Sequence, residues 1–167
     1  APFHFPHPVR GRPPQYPDAH AGGDPSIAAP ALAAATPART DAELDIRLAA
    51  LERTGLLDTP PEEPFDRFTR LATRLFKTPV ALVSLVDSDR QFFKSAIGLP
   101  EPWQTRRETP LTHSFCKHAV AQQEPLVIAD ARKDPVFRDN PAVRDLKIIA
   151  YAGVPLMASG CALGAFC

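Results

Sequence analysis

Residues 40–167 predict an α+β fold, a central antiparallel β-sheet flanked by helices. Three observations carry this. Two capped segments with helical apolar spacing come first, and the apolar period changes abruptly after Pro79. The first strand-like run then leads to the next through a turn that only a hairpin allows. Residues 1–39 stand apart by composition. They carry nine of the 20 prolines and ten alanines, with almost no aliphatic pattern. Such a segment cannot bury enough apolar surface to offset chain entropy, so it reads as a disordered Pro/Ala-rich tail or linker.

Order is expected to begin at Thr40. Thr40-Asp41-Ala42-Glu43 has capping-box spacing, Leu44, Leu48 and Leu51 follow at helical intervals, and Gly55 suits the position after the helix end. Thr59-Pro60-Pro61-Glu62 repeats that grammar with proline at the first helical position. Phe65, Phe68, Ala72, Leu75 and Phe76 then make one apolar stripe. Val80 to Val86 is a nearly continuous apolar run, as a strand buried on both faces requires. Asp87-Ser88-Asp89 is turn chemistry, and Arg90 to Ile97 reads as the returning strand. Gly98 to Pro110 reads as a loop, and a short helix is expected from about Thr112–Ser114. Leu126 to Ala129 is a third strand. A polar stretch follows, with one helical turn after Asn140-Pro141. Ile148 to Met157 and Ala162 to Cys167 read as two further strands joined at Ser159-Gly160.

The net charge is +0, from 19 basic and 19 acidic residues. This argues against nucleic acid or an anionic membrane as the main partner, since both demand a basic surplus. No apolar run approaches the roughly 20 residues of a membrane span. Three cysteines are too few for a secreted disulfide scaffold, and a reducing, cytoplasmic setting fits. Cys161 and Cys167, sharing one strand, would lie about 20 Å apart and could not pair with each other. His4, His7 and His20 lack any regular ligand spacing.

Many ordered strings in residues 43–167 resemble the GAF domains of bacterial sensor proteins. They include Gly55-Leu56-Leu57-Asp58-Thr59-Pro60-Pro61-Glu62, Pro79 to Asp87, Asp89-Arg90-Gln91-Phe92-Phe93-Lys94-Ser95 and Ser114-Phe115-Cys116-Lys117-His118. Asp130-Ala131-Arg132, Tyr151-Ala152-Gly153-Val154-Pro155-Leu156 and Leu163-Gly164-Ala165-Phe166-Cys167 continue the match. The resemblance implies a non-catalytic sensory module that binds a small ligand or relays a signal through dimerisation helices. It implies a homodimer, with an output domain in cis such as a histidine kinase, a diguanylate cyclase or a serine phosphatase. It also implies that residues 40–167 form a GAF-like domain lacking its last strand segment and C-terminal helix.

In such domains the ligand cavity lies under irregular segments between sheet and short helices. The candidate pocket residues are therefore Phe93, Trp103, Arg106, Arg107, His113, Cys116, Asp130, Phe137 and Tyr151, which supply aromatic walls and convergent polar groups. The alternative for the same loops is structural, with Arg107, Glu108 and Asp130 as ion pairs and Trp103 capping the core. No catalytic residue and no cofactor is expected, because no nucleophile elbow, phosphate-cradling glycine loop or paired carboxylates occur. No metal site is expected either. His113 and Cys116 share a helical face, but His118 points elsewhere. Bilin-binding relatives carry Cys followed directly by His, and here Lys117 intervenes. The rival reading is a cysteine-centred redox or metal-linked sensor or enzyme around Cys116.

Overall fold

In a computed structural model, residues 40–167 are described. The expected tail over residues 1–39 lies outside the described residues. Helix α1 (Asp41–Arg53) starts on the anticipated capping box. The Thr40 hydroxyl accepts from the Glu43 N–H, and the Glu43 carboxylate accepts from the Thr40 N–H. Gly55, at φ +61°, follows the helix end, a left-handed position where glycine carries no Cβ penalty. Leu51 is fully buried, Leu48 is half-buried and Leu44 remains exposed.

Helix α2 (Glu63–Phe76) starts later than the sequence reading placed it. It begins at Glu63, with Pro64 in its first turn, because the Thr59–Glu62 stretch is otherwise engaged. The ammonium of buried Lys94 donates to Thr59 Oγ1 (2.5 Å), to the Pro60 carbonyl (2.9 Å) and to the Glu62 carboxylate. Thr69 and Ala72 turn inward, with Thr69 Oγ1 2.9 Å from Ser95 Oγ. Phe68, Leu71, Leu75 and Phe76 are left 57–72% exposed. Of the expected stripe, Ala72 is buried and Phe65 half-buried, while Phe68, Leu75 and Phe76 point away from the core.

Six strands form one sheet in the order β3-β2-β1-β6-β5-β4, antiparallel throughout. They are β1 (Ala81–Val86), β2 (Arg90–Ile97), β3 (Glu108–Pro110), β4 (Leu126–Ile128), β5 (Tyr151–Ala158) and β6 (Cys161–Phe166). Every residue of β1 is buried, as its apolar run requires. The segment read as a loop holds a helical turn, α3 (Trp103–Arg106), and the edge strand β3. A 3₁₀ turn (Leu111–His113) leads into α4 (Cys116–Gln122), and Asn140 caps α5 (Pro141–Asp145) by accepting from the Ala142 N–H.

Two bulges decide which side chains share a face. Opposite the Val83–Ser84 step, β2 carries one extra residue, Lys94. Opposite Leu156–Met157, β6 carries one extra residue, Leu163. Each resets the alternation beyond it. One face of the sheet packs Leu85, Phe92 and Leu163 on Ala50 and Leu51 of α1. The other packs Val86, Ala162 and Ala165 on Cys116 and Val120 of α4. Gly164 makes the β6–β1 approach possible, since a Cβ there would stand 1.9 Å from the Ser84 carbonyl oxygen.

Candidate functional site

The α4 face of the sheet gathers aromatic and polar side chains from distant segments. Buried Phe115 stacks on Phe137 (centroids 5.2 Å apart) and on Tyr151 (5.4 Å). His118 meets the Phe137 ring edge-on at 4.9 Å. Burial, reinforced by neighbouring Lys117, lowers the His118 pKa and favours the neutral imidazole. The segment between β4 and β5 closes over this group. Ala131, Phe137 and Ala142 are buried against Phe115, and the Ala131 N–H donates to the Ile149 carbonyl at 2.7 Å.

At the other end, Trp103 lies 5.4 Å from the His113 ring. His113 Nε2 is 3.2 Å from an Asp145 carboxylate oxygen. The Asp145 carboxyl is held at about 2, first by Arg144 and then by His113. Phe93, 1% exposed, packs with Leu82 and Leu99, and Trp103 and Cys167 border it.

Between these ends lies a sulfur pair. Cys116 Sγ and Cys167 Sγ are 3.5 Å apart, and the Tyr151 hydroxyl donates to Cys116 Sγ at 3.3 Å. The Cys167 hydrogen bond, with help from Ser84 and Tyr151, brings the Cys116 thiol to about 7 against the opposing effect of burial. The same contact and burial push the Cys167 thiol up, and burial pushes Tyr151 up.

Six of the nine anticipated pocket residues therefore share one face: Phe93, Trp103, His113, Cys116, Phe137 and Tyr151. Three stand apart. Arg106 is exposed on α3. Arg107 reaches the opposite face, donating to the carbonyls of Thr59 (2.8 Å) and Lys94 (3.0 Å) with its guanidinium over Phe92. Asp130 pairs with Arg132 (2.8 Å), and that pairing holds its carboxyl at about 2. Glu108 pairs with Arg90, which also holds Asp58.

His113, Cys116 and His118 turn to separate partners, and among the described residues no three His, Cys, Asp or Glu side chains converge as a metal set. Every buried side-chain nitrogen or oxygen among the described residues has a hydrogen-bond partner. A cleft of about 250 Å³ opens elsewhere, between α1, the end of β1 and α4, lined by Leu44, Val86, Leu111, Lys117 and Val120. None of the nine residues lines it. Among the described residues, no helix is long and apolar enough to cross a membrane.

Sequence reasoning missed Cys167 and Asp145 as members of this face, while Phe115 is expected beside Cys116 from the sequence and is not among the candidate pocket residues. Cys167 meets Cys116 only through the β1–β6 pairing and the bulge at Leu163. Phe115 carried a usable signal, since it immediately precedes Cys116 and is apolar in the same helix.

A six-stranded antiparallel sheet with a pair of helices on one side and a loop-covered aromatic face on the other defines a small α+β sensory module. The chain belongs to the GAF domain family, whose description it matches over residues 60–167. It is 42% identical over 123 residues to a cyclic di-GMP phosphodiesterase of Pseudomonas aeruginosa, covering 72% of this chain and 20% of that protein. The chain thus spans about one fifth of that relative's length. The GAF domain of a phosphoenolpyruvate-protein phosphotransferase from Coxiella burnetii superimposes with a TM-score of 0.52 at 15% identity, covering 72% of this chain and 74% of that one. A free methionine-R-sulfoxide reductase from Neisseria meningitidis gives 0.50 at 19% identity, covering 77% and 75%. At those identities the likeness is one of fold.

Proposed function

We propose that this chain is the non-catalytic sensory module of a bacterial signalling protein, with any catalysis carried by an output domain in cis. One observation carries the reading: the 42% match falls within a fifth of a much longer signalling enzyme. A module reused within a longer chain acts on its neighbours. The sensing face is the α4 side, where Trp103 meets His113 and segment 129–150 packs its Phe137 on Phe115, which also stacks on Tyr151. A small ligand with an aromatic or apolar body and a polar end suits it, with the His113–Asp145 pair as its polar contact.

The relay is assigned to the opposite side. Phe68, Leu71 and Leu75 recur at coiled-coil spacing on α2 and point outward, so a second copy of this chain is the proposed occupant. The balanced charge argues against nucleic acid or an anionic membrane as the main partner. A thermal-shift screen of small metabolites on the full chain tests the sensing face. A true ligand raises the midpoint by several degrees and loses that effect in Trp103→Ala. A ligand indifferent to Trp103→Ala but abolished by Val120→Trp would place the site in the α1–α4 cleft instead and overturn the assignment.

A further inference from the structure

We propose that Cys116 and Cys167 are an oxidation site, closing to a reversible intramolecular disulfide when the protein meets a small peroxide. The two sulfurs are separated by 51 residues yet lie 3.5 Å apart. Both are fixed by backbone structure rather than by chance contact. Cys167 exchanges both backbone hydrogen bonds with Leu82 (2.7 and 3.0 Å), which locks it beside β1. Cys116 is the first residue of α4, and Ser114 Oγ accepts from the Lys117 N–H at 3.0 Å in that first turn. Disulfide formation brings the sulfurs to about 2.05 Å, an approach of roughly 1.5 Å that side-chain rotation supplies.

The surroundings distinguish this pair from two thiols packed as hydrophobes. Cys116 Sγ accepts from the Tyr151 hydroxyl and has the Cys167 thiol in donating range at 3.5 Å, an arrangement that suits a thiolate. The lowering of the Cys116 thiol to about 7 agrees with that geometry. Cys161 does not compete. The bulge at Leu163 puts it on the opposite face, against the α1 cluster.

The chemistry balances with peroxide as oxidant. The Cys116 thiolate attacks one peroxide oxygen, the O–O bond breaks, and a sulfenic acid and hydroxide result. The hydroxide takes the Cys167 proton and leaves as water. The Cys167 thiolate then attacks the Cys116 sulfur, the S–O bond breaks, and the departing hydroxide takes from solvent the proton that Cys116 gave up on ionising, forming a second water. Two electrons pass from the sulfurs to the peroxide, and a dithiol reverses the bond by exchange. Cys116 is 1% exposed, which disfavours bulky oxidants and leaves peroxide, little larger than water. The cross-link removes the thiolate acceptor from Tyr151, whose ring stacks on Phe115 within the sensing face.

This chemistry stands independently of the sensory reading, so each can fail alone. The test treats the reduced full chain with hydrogen peroxide, blocks remaining thiols under denaturation, and maps peptides by mass. The expected result is a Cys116–Cys167 cross-linked peptide lighter by two hydrogens, alkylated Cys161, and reversal by dithiothreitol. Cys161→Ser should behave identically. Cys167→Ser should instead yield a dimedone-trapped sulfenic acid at Cys116. If Cys116 and Cys167 are both still alkylated at peroxide levels that oxidise Cys161, the pair is packing only and the proposal falls. A cross-link joining Cys161 residues of two copies in place of this one would overturn it equally.

Discussion

Replacing Leu71 by glutamate should abolish self-association while leaving the fold intact. Phe68, Leu71, Leu75 and Phe76 are 58, 57, 67 and 72% exposed. Side chains of this size present roughly 150–200 Å² each when fully exposed, so the stripe offers about 400 Å² of apolar surface per copy. At about 25 cal/mol per Å², pairing two such stripes contributes up to about 20 kcal/mol. Association costs about 4–15 kcal/mol in lost freedom, which leaves about 5–16 kcal/mol at full burial, so a dimer of sub-millimolar affinity or better is expected. Leu71→Glu removes about 100 Å² from each copy and sets two carboxylates against each other across the interface. The loss is about 4 kcal/mol or more, a weakening of roughly 1000-fold. The isolated fold should shift by no more than about 0.5 kcal/mol, because Leu71 is already exposed and glutamate is a good helix former. Arg67 and Arg74, one helical turn on either side, favour the new carboxylate. Sedimentation velocity from about 10 μM to 1 mM, a range that spans the weakest affinity expected, reads the result. A wild-type chain that stays monomeric throughout, or a variant that associates as tightly as wild type, would refute the assignment of α2 as the pairing face.

Further expectations rest on single contacts. Lys94→Met keeps the buried stem but loses three hydrogen bonds, and should lower stability by about 1–3 kcal/mol in urea unfolding. Unchanged stability would mean that burying the ammonium offsets all three bonds. Gly164→Ala forces β6 away from the Ser84 carbonyl and should cost about 2–4 kcal/mol, read as a fallen midpoint; retention of the wild-type midpoint would contradict the strand spacing. His118, its pKa lowered by burial and then by Lys117, favours the neutral form in the folded state. The unfolded chain therefore binds the proton first. Its contribution is full above the unfolded value near 6.5 and is lost as pH falls through and below it. His118→Gln should flatten the urea-midpoint slope between about pH 7 and 5, on either side of that value; an unaltered slope would assign it to other groups.

Local grammar carried much of the fold. The Thr40 capping box, the all-buried run of β1 and the β1–β2 hairpin were legible because each depends on neighbours in sequence. The errors arose where distant groups intervene. The start of α2 was misplaced because Lys94, some 35 residues on, occupies Thr59 and Pro60. On α2, periodicity reports that an apolar face exists and not which neighbour it meets. The sulfur pair was invisible for a geometric reason. Cys161 and Cys167 have the same parity on one strand, which predicts one face, yet the extra residue Leu163 sends them to opposite sides. Arg107 carries both a pocket and a structural reading in the sequence, and the structural one fits better: its guanidinium donates to the carbonyl oxygens of Thr59 and Lys94.

The account rests on coupling between the α4 face and the α2 stripe on the other side of the sheet. Amide hydrogen exchange compares the reduced chain with the chain carrying the Cys116–Cys167 cross-link, which perturbs the sensing face without adding a ligand. If the two faces communicate, exchange should change in α4 and segment 129–150 and also in Phe68–Phe76 of α2, with a parallel shift in the dimer dissociation constant. Exchange altered only around Cys116, Tyr151 and Cys167, with α2 and the dissociation constant unmoved, would contradict it.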